Sequence, residues 1–192
     1  VDSFASQGPS DVIAPHERAE PVILVAYDPA WPHTFEAIRA TVAAALGELA
    51  IGIEHVGSTA VPGLPAKPII DIDVVVRRDG DLPDAAARLA AIGYRYLGNL
   101  GIIGRDAFRA PTGAPEQHLF VCPSASAELR AHLGFRDALR RSPDLAAEYA
   151  ALKAQLAQTH RYNRDAYAEG KSRFIAAALA DAHEGPRRSR RH

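Results

Sequence analysis

The sequence predicts an α+β domain, with a mixed β-sheet and flanking helices in the first two-thirds and a helical segment in the last third. Three observations predict it. Short apolar runs at 50–56, 69–76 and 117–122, bounded by glycine and proline turns, have the length and β-branched content of strands. The stretches 33–49, before them, and 81–92, between the second and third, carry apolar residues at helical spacing, and from Ser126 onward that spacing continues almost unbroken. A chain of 192 residues with 47% apolar content can bury one sizeable core. The expected organisation is therefore an arm at 1–20, a single domain at 21–183 and a basic tail at 184–192. Within the domain, 21–123 is the sheet-containing core and 124–183 the helical segment.

In chain order, Val22 to Val25 reads as a short strand ended by the Tyr27-Asp28-Pro29-Ala30-Trp31-Pro32 turn. Phe35, Ile38, Val42, Leu46 and Leu49 then mark an amphipathic helix. Two strands follow, at 50–56 and 69–76. The helix at 81–92 ends at Gly93, a residue type that adopts the left-handed conformation closing many helices. Strands are expected at 94–97 and 102–109, then a turn at 111–115 and a strand at 117–122. Leu129, Leu133, Phe135 and Leu139 define one later helix, and Ser142-Pro143 starts the next as cap and first-turn proline. A last helix spans 164–181.

The charge balance, 22 basic against 23 acidic residues, argues against bulk electrostatic binding to nucleic acid or membrane, though it allows a local basic pocket. One cysteine, Cys122, excludes an intrachain disulfide and a Cys-based zinc site. No run approaches the roughly 20 apolar residues of a membrane span. A cytoplasmic location is the expectation.

The chemistry-bearing residues lie between His55 and Val76. Gly57-Ser58 closes one strand, where glycine admits close backbone approach and serine offers a hydroxyl and an N–H to a phosphate. Asp71 and Asp73 leave one face of the next strand while Ile70, Ile72 and Val74 leave the other. Two carboxylates on one face of an apolar strand repel each other unless a cation or donor compensates, and a divalent metal is a common compensation.

A Gly-Ser pair followed across residues 59–70 by Asp-x-Asp on a strand resembles the nucleotidyltransferase superfamily, which includes DNA polymerase beta and the aminoglycoside nucleotidyltransferases. That resemblance implies a nucleotidyltransferase-like sheet. It also implies Mg2+, or Mn2+, on Asp71 and Asp73, a triphosphate on Gly57, Ser58 and Thr59, and transfer of a nucleotidyl group to a small-molecule acceptor.

A closer resemblance is to the GrpB family. It rests on Tyr27-Asp28-Pro29-Ala30-Trp31-Pro32, on the block from Glu54 to Leu64, and on Ala66-Lys67-Pro68-Ile69-Ile70-Asp71-Ile72-Asp73. Further matches are Phe135-Arg136-Asp137, Tyr149 with Leu152-Lys153, and Tyr167 with Lys171 and Phe174-Ile175. In some bacteria a similar domain is fused to dephospho-coenzyme A kinase, which implies a link to coenzyme A chemistry; this chain has no phosphate loop of that kinase. The family pattern at the strand carrying His118 is His-Leu-His, and Phe120 stands in place of the second histidine. For a third carboxylate that strand offers only Glu116, which shares the face of His118 but sits near the turn. His118 is then the candidate base or extra ligand, and a non-catalytic nucleotide- or coenzyme A-related binding protein is the alternative to an enzyme.

Other candidates have ordinary explanations beside the functional one. Lys67, held extended by Pro68, either aims at the site mouth or is an exposed loop lysine. Arg105 and Arg109 share a strand face and either grip phosphate or pair with Asp106 or Glu116. Lys171 and Tyr167 sit one turn apart and face either the cleft or solvent. His55 is a donor to the motif or a core histidine.

Overall fold

The computed structural model describes residues 21–184; the expected arm and, apart from Glu184, the expected tail lie outside them. Helix α1 (Trp31–Leu46) precedes strands β1 (Gly52–Val56) and β2 (Ile70–Val76). Helix α2 (Leu82–Ala91) leads to β3 (Arg95–Gly98), β4 (Asp106–Arg109) and β5 (Gln117–Pro123), and helices α3 (Ala127–Arg141), α4 (Pro143–Thr159) and α5 (Arg164–Glu184) complete the described chain. The five strands form one mixed sheet in the order β1-β2-β5-β4-β3, parallel only between β2 and β5.

The alternation in β2 divides the sheet into two chemically different faces. Ile70, Ile72, Val74 and Val76 join Leu119, Val121 and Phe108 in the main core against Trp31, Phe35, Ile38, Val42 and Leu46 of α1 and Leu89 of α2. The opposite face carries Val75, Ala107, Phe120 and Cys122, packed under Leu129 of α3, and it is also the face of both aspartates. A third cluster, built on Val61, Leu64, Leu139 and Tyr149, fastens the helical segment to the loop after Gly57.

Several boundaries differ from expectation for local reasons. Val22 to Val25 makes no strand: only Val25 pairs, in an isolated antiparallel bridge to Ala66, while Ile23 is 55% exposed. Helix α1 starts at Trp31, inside the expected turn, because Pro32 lies in the first turn, where its missing N–H costs nothing. The strand expected from 102 begins only at Asp106, because Leu100, Gly101 and Gly104 all have positive φ and turn the chain. The Ser142 cap holds as expected, with its Oγ accepting from Leu145 N, and the structure adds a second serine cap, Ser126 Oγ accepting from Leu129 N.

Candidate functional site

The turn after β1 places Gly57 directly against Asp71. A Cβ at Gly57 would stand 2.0 Å from Asp71 Oδ2, and the backbone there has φ of 70°. Glycine is thus required twice, for the left-handed conformation and for the close approach. On the parallel neighbour β5, His118 pairs in register with Asp71, and its Nδ1–H donates to Asp71 Oδ1 at 2.9 Å. In the neutral ring this bond leaves the lone pair on Nε2.

Asp71 and His118 form one wall of a notch of about 30 Å³. The other walls are Ser58, Thr59 and Lys67 from the loop between β1 and β2, Lys153 from α4, and Tyr167 and Lys171 from α5. Lys153 is 2% exposed; its ammonium donates to Ser58 Oγ at 3.0 Å and to the Pro65 carbonyl. Burial, reinforced by the nearby Lys171, pushes the Lys153 amine down to about 7, against a smaller upward pull from Asp71. Lys171 is 5% exposed and, like Lys67, lies near the Tyr167 ring, with ammonium-to-centroid distances of 4.4 Å and 5.7 Å. Thr59 is committed to the loop: its hydroxyl donates to the Ile69 carbonyl and meets His55 Nε2 at 3.0 Å. His55 is a core histidine, stacked on Phe35, and burial lowers it to about 4.

Asp73, two residues along the same face, has a different environment. It is fully buried beneath α3, where His132 Nδ1–H donates to its Oδ2 at 2.6 Å. Asp73 Oδ1 and His132 Nε2 have no hydrogen-bond partner among the described residues. Arg105 also departs from expectation: it is 1% exposed, its guanidinium lies 4.2 Å from the Phe120 ring centroid, and it belongs to the buried ground around Asp73 and Glu128. The cause is register. Arg105 precedes β4 on the face that α3 covers, whereas Arg109, at the other end of β4, opens onto a neighbouring cavity.

Lys153 and His132 are the two site-region residues that sequence reasoning left without a role. For Lys153 a signal was present: it sits one turn after Tyr149 within the apolar stripe of Leu145, Leu152 and Leu156, an expensive place for a lysine unless something engages it. His132 offered no comparable signal, because its partner is 59 residues away.

The profile described as GrpB protein matches residues 21–181. The chain belongs to the GrpB family. Among its GrpB relatives, the UPF0157 protein PA4798 of Pseudomonas aeruginosa is 41% identical over 159 residues, covering 81% of this chain and 65% of that protein. The UPF0157 protein YqkA of Bacillus subtilis is 34% identical over 161 residues, covering 84% and 47%. The chain thus spans about half to two-thirds of the length of these two relatives. A dephospho-CoA kinase of Mycolicibacterium paratuberculosis is 30% identical over 187 residues, covering 84% of this chain and 46% of that protein. Among solved structures, the conserved GrpB protein from Enterococcus faecalis superposes with a TM-score of 0.76 at 36% identity, over 84% of this chain and 98% of that one. The Cid1 structure in complex with its product ApU reaches a TM-score of 0.51 at 13% identity, over 69% and 42%. That similarity is one of fold: GrpB shares a nucleotidyltransferase-like sheet.

The GrpB site in this chain does not fit a resident Mg2+ held between Asp71 and Asp73. Asp71 reaches the notch, but Asp73 is behind α3 with one oxygen taken by His132. Among the described residues no group of three or more histidine, cysteine or acidic side chains is placed to hold a metal ion. What the GrpB notch offers is three lysines and a serine hydroxyl facing one Asp–His pair. No helix among the described residues is long and apolar enough to cross a membrane.

Proposed function

We propose that this GrpB chain binds the phosphate groups of a nucleotide or a coenzyme A-related ligand in the notch, on a nucleotidyltransferase-like scaffold with an incomplete metal centre. The observation that carries this reading is the burial of Lys153 and Lys171 at one small notch beside Ser58. Two buried lysines converge there with a serine hydroxyl, and Asp71 is the one carboxylate lining the notch among the described residues. A bound phosphate accepts charge-assisted hydrogen bonds from both lysines and from Ser58. Calorimetric titration with ADP, coenzyme A and dephospho-coenzyme A, with and without Mg2+, tests it. Lys171→Gln is expected to weaken binding at least about tenfold, the scale of one charge-assisted hydrogen bond. No binding by any of the three, or identical binding by the variant, overturns the reading. The dephospho-CoA kinase among the relatives supports including coenzyme A precursors, and a functional partnership with that kinase is part of the proposal.

One observation favours a second reading, nucleotidyl transfer from an NTP to a small-molecule acceptor. His118, oriented by Asp71, presents Nε2 as a base for an acceptor hydroxyl at the notch wall. This reading needs Mg2+ or Mn2+, and therefore an Asp73 released from His132. Pyrophosphate release from NTPs under either metal, lost in His118→Gln, supports it; binding without release over long incubation removes it.

A further inference from the structure

Beside the notch lies a larger trough of about 570 Å³, within the size range of small-ligand sites. The two adjoin, since Lys67, Ile69 and His118 line both. Ile23, Ile69, Leu97 and Phe108 supply apolar surface to the trough, and Ile23 is otherwise an exposed large hydrophobic side chain. Its charged lining among the described residues is Lys67, Arg109 and Arg164 against Glu116, a cationic balance.

Arg109 distinguishes this trough from a generic groove. It ends β4, half-buried, and its guanidinium makes no hydrogen bond or ion pair with any other described residue. Glu116, the carboxylate of the same lining, is exposed and is not paired with it. A half-buried guanidinium aligned with apolar surface and left without an anion suits a ligand that brings its own.

The geometry points to a ligand in two parts: a phosphate in the notch, and an organic body in the trough carrying a second acidic group that Arg109 grips. The chemical class is a small phosphorylated molecule with a separate phosphate or carboxylate. This inference rests on the phosphate-binding reading of the notch and adds a specificity determinant that the notch lysines lack. Those lysines recognise any phosphate, whereas Arg109 selects among phosphorylated compounds by what they carry at the other end.

Calorimetric titration of the full chain with AMP, adenosine 3′,5′-bisphosphate and adenylosuccinate tests it. In the last two compounds the additional acid is a phosphate and a dicarboxylate respectively, so their order tells which anion is held. At least one is expected to bind about tenfold or more tightly than AMP, as one charge-assisted contact implies. Arg109→Gln is expected to erase that advantage while leaving AMP affinity within about twofold, since the substitution removes only the second contact. Thermal melts confirm that the variant is folded. If AMP binds and neither other compound binds better, or if Arg109→Gln weakens all three alike, the inference is overturned and the notch reading stands. If none binds and Lys171→Gln changes nothing, the notch reading itself has failed and this inference falls with it.

Discussion

Gly57 and Asp71 fix each other's position, so the smallest change at the site has one of the clearest expected outcomes. Gly57→Ala adds a Cβ at 2.0 Å from Asp71 Oδ2 and 2.9 Å from Asp71 Cβ, in a backbone of φ 70°. A loss of about 2 to 4 kcal/mol of stability is expected from strain and overpacking together, measured as a shift in urea midpoint. Asp71→Ala in the same chain relieves the oxygen contact but not the Cβ contact, so it rescues only part. Lys153 gives a pH signature. Its amine is held at about 7 in the fold against 10.5 ordinarily, so between those values only the unfolded chain keeps the proton. The unliganded protein is therefore expected to gain stability as pH rises through that window. Phosphate binding runs the other way, because an anion favours charged Lys153: affinity is level below about pH 7 and falls above it. Calorimetry at pH 6.5, 7.5 and 8.5 reads this, and Lys153→Met is expected to flatten it. A wild-type affinity that does not fall above pH 7 removes Lys153 from the ligand contacts. At this scale the sequence was informative where neighbours are close in the chain. Gly57, Ser58 and Asp71 stand out as a motif, whereas the opposite fates of Asp71 and Asp73 depend on how far α3 reaches over β2, which no local pattern encodes.

Helices α4 and α5 bring Lys153 and Lys171 to the notch, and they pack closely at Gly170. A Cβ at Gly170 in α5 would lie 2.4 Å from Leu156 Cδ2 in α4. Elsewhere in a helix, alanine in place of glycine stabilises by roughly 1 kcal/mol. Gly170→Ala is expected to reverse that sign, destabilising by about 1 to 3 kcal/mol through overpacking, and to weaken ligand binding because Lys171 adjoins it. Adding Leu156→Ala tests the mechanism: if the clash is responsible, the double variant is more stable than the additive sum of the two single changes, by thermal melt. Element types were legible from the sequence pattern for α1 to α5 and for β1, β2, β3 and β5. The failures fell where turn geometry outweighs apolar content. Ile102 and Ile103 look like the start of a strand, yet the positive φ of Leu100, Gly101 and Gly104 on either side of them makes a turn, and Ile103 is 90% exposed.

At the scale of the whole molecule, the helical segment is tied to the sheet by polar contacts spaced along its length. His132 reaches Asp73 of β2, and Arg136 donates to Glu54 of β1 at 2.8 Å. Arg140 donates two hydrogen bonds to the Ala60 carbonyl, and Lys153 binds Ser58. The third apolar cluster adds Leu139, Tyr149 and Phe174 against Val61 and Leu64. A segment so connected cannot leave without exposing a buried carboxylate and stranding several donors, so the described residues are expected to unfold as one cooperative unit. The chain provides its own probe. Trp31, the single tryptophan, is buried in the core on the α1 side of the sheet and reports that side alone, while far-ultraviolet ellipticity is dominated by all five helices. Urea curves from tryptophan fluorescence and from ellipticity are expected to coincide. An early loss of ellipticity with Trp31 unchanged would mean that α3 to α5 detach first, and that outcome bears on function. Detachment takes His132 from Asp73 and removes Lys153 and Lys171 from the notch, so a ligand that bridges Ser58 and the lysines must raise the midpoint of that early phase. Coincident curves, with a ligand shifting both midpoints together, place the notch on a single folding unit.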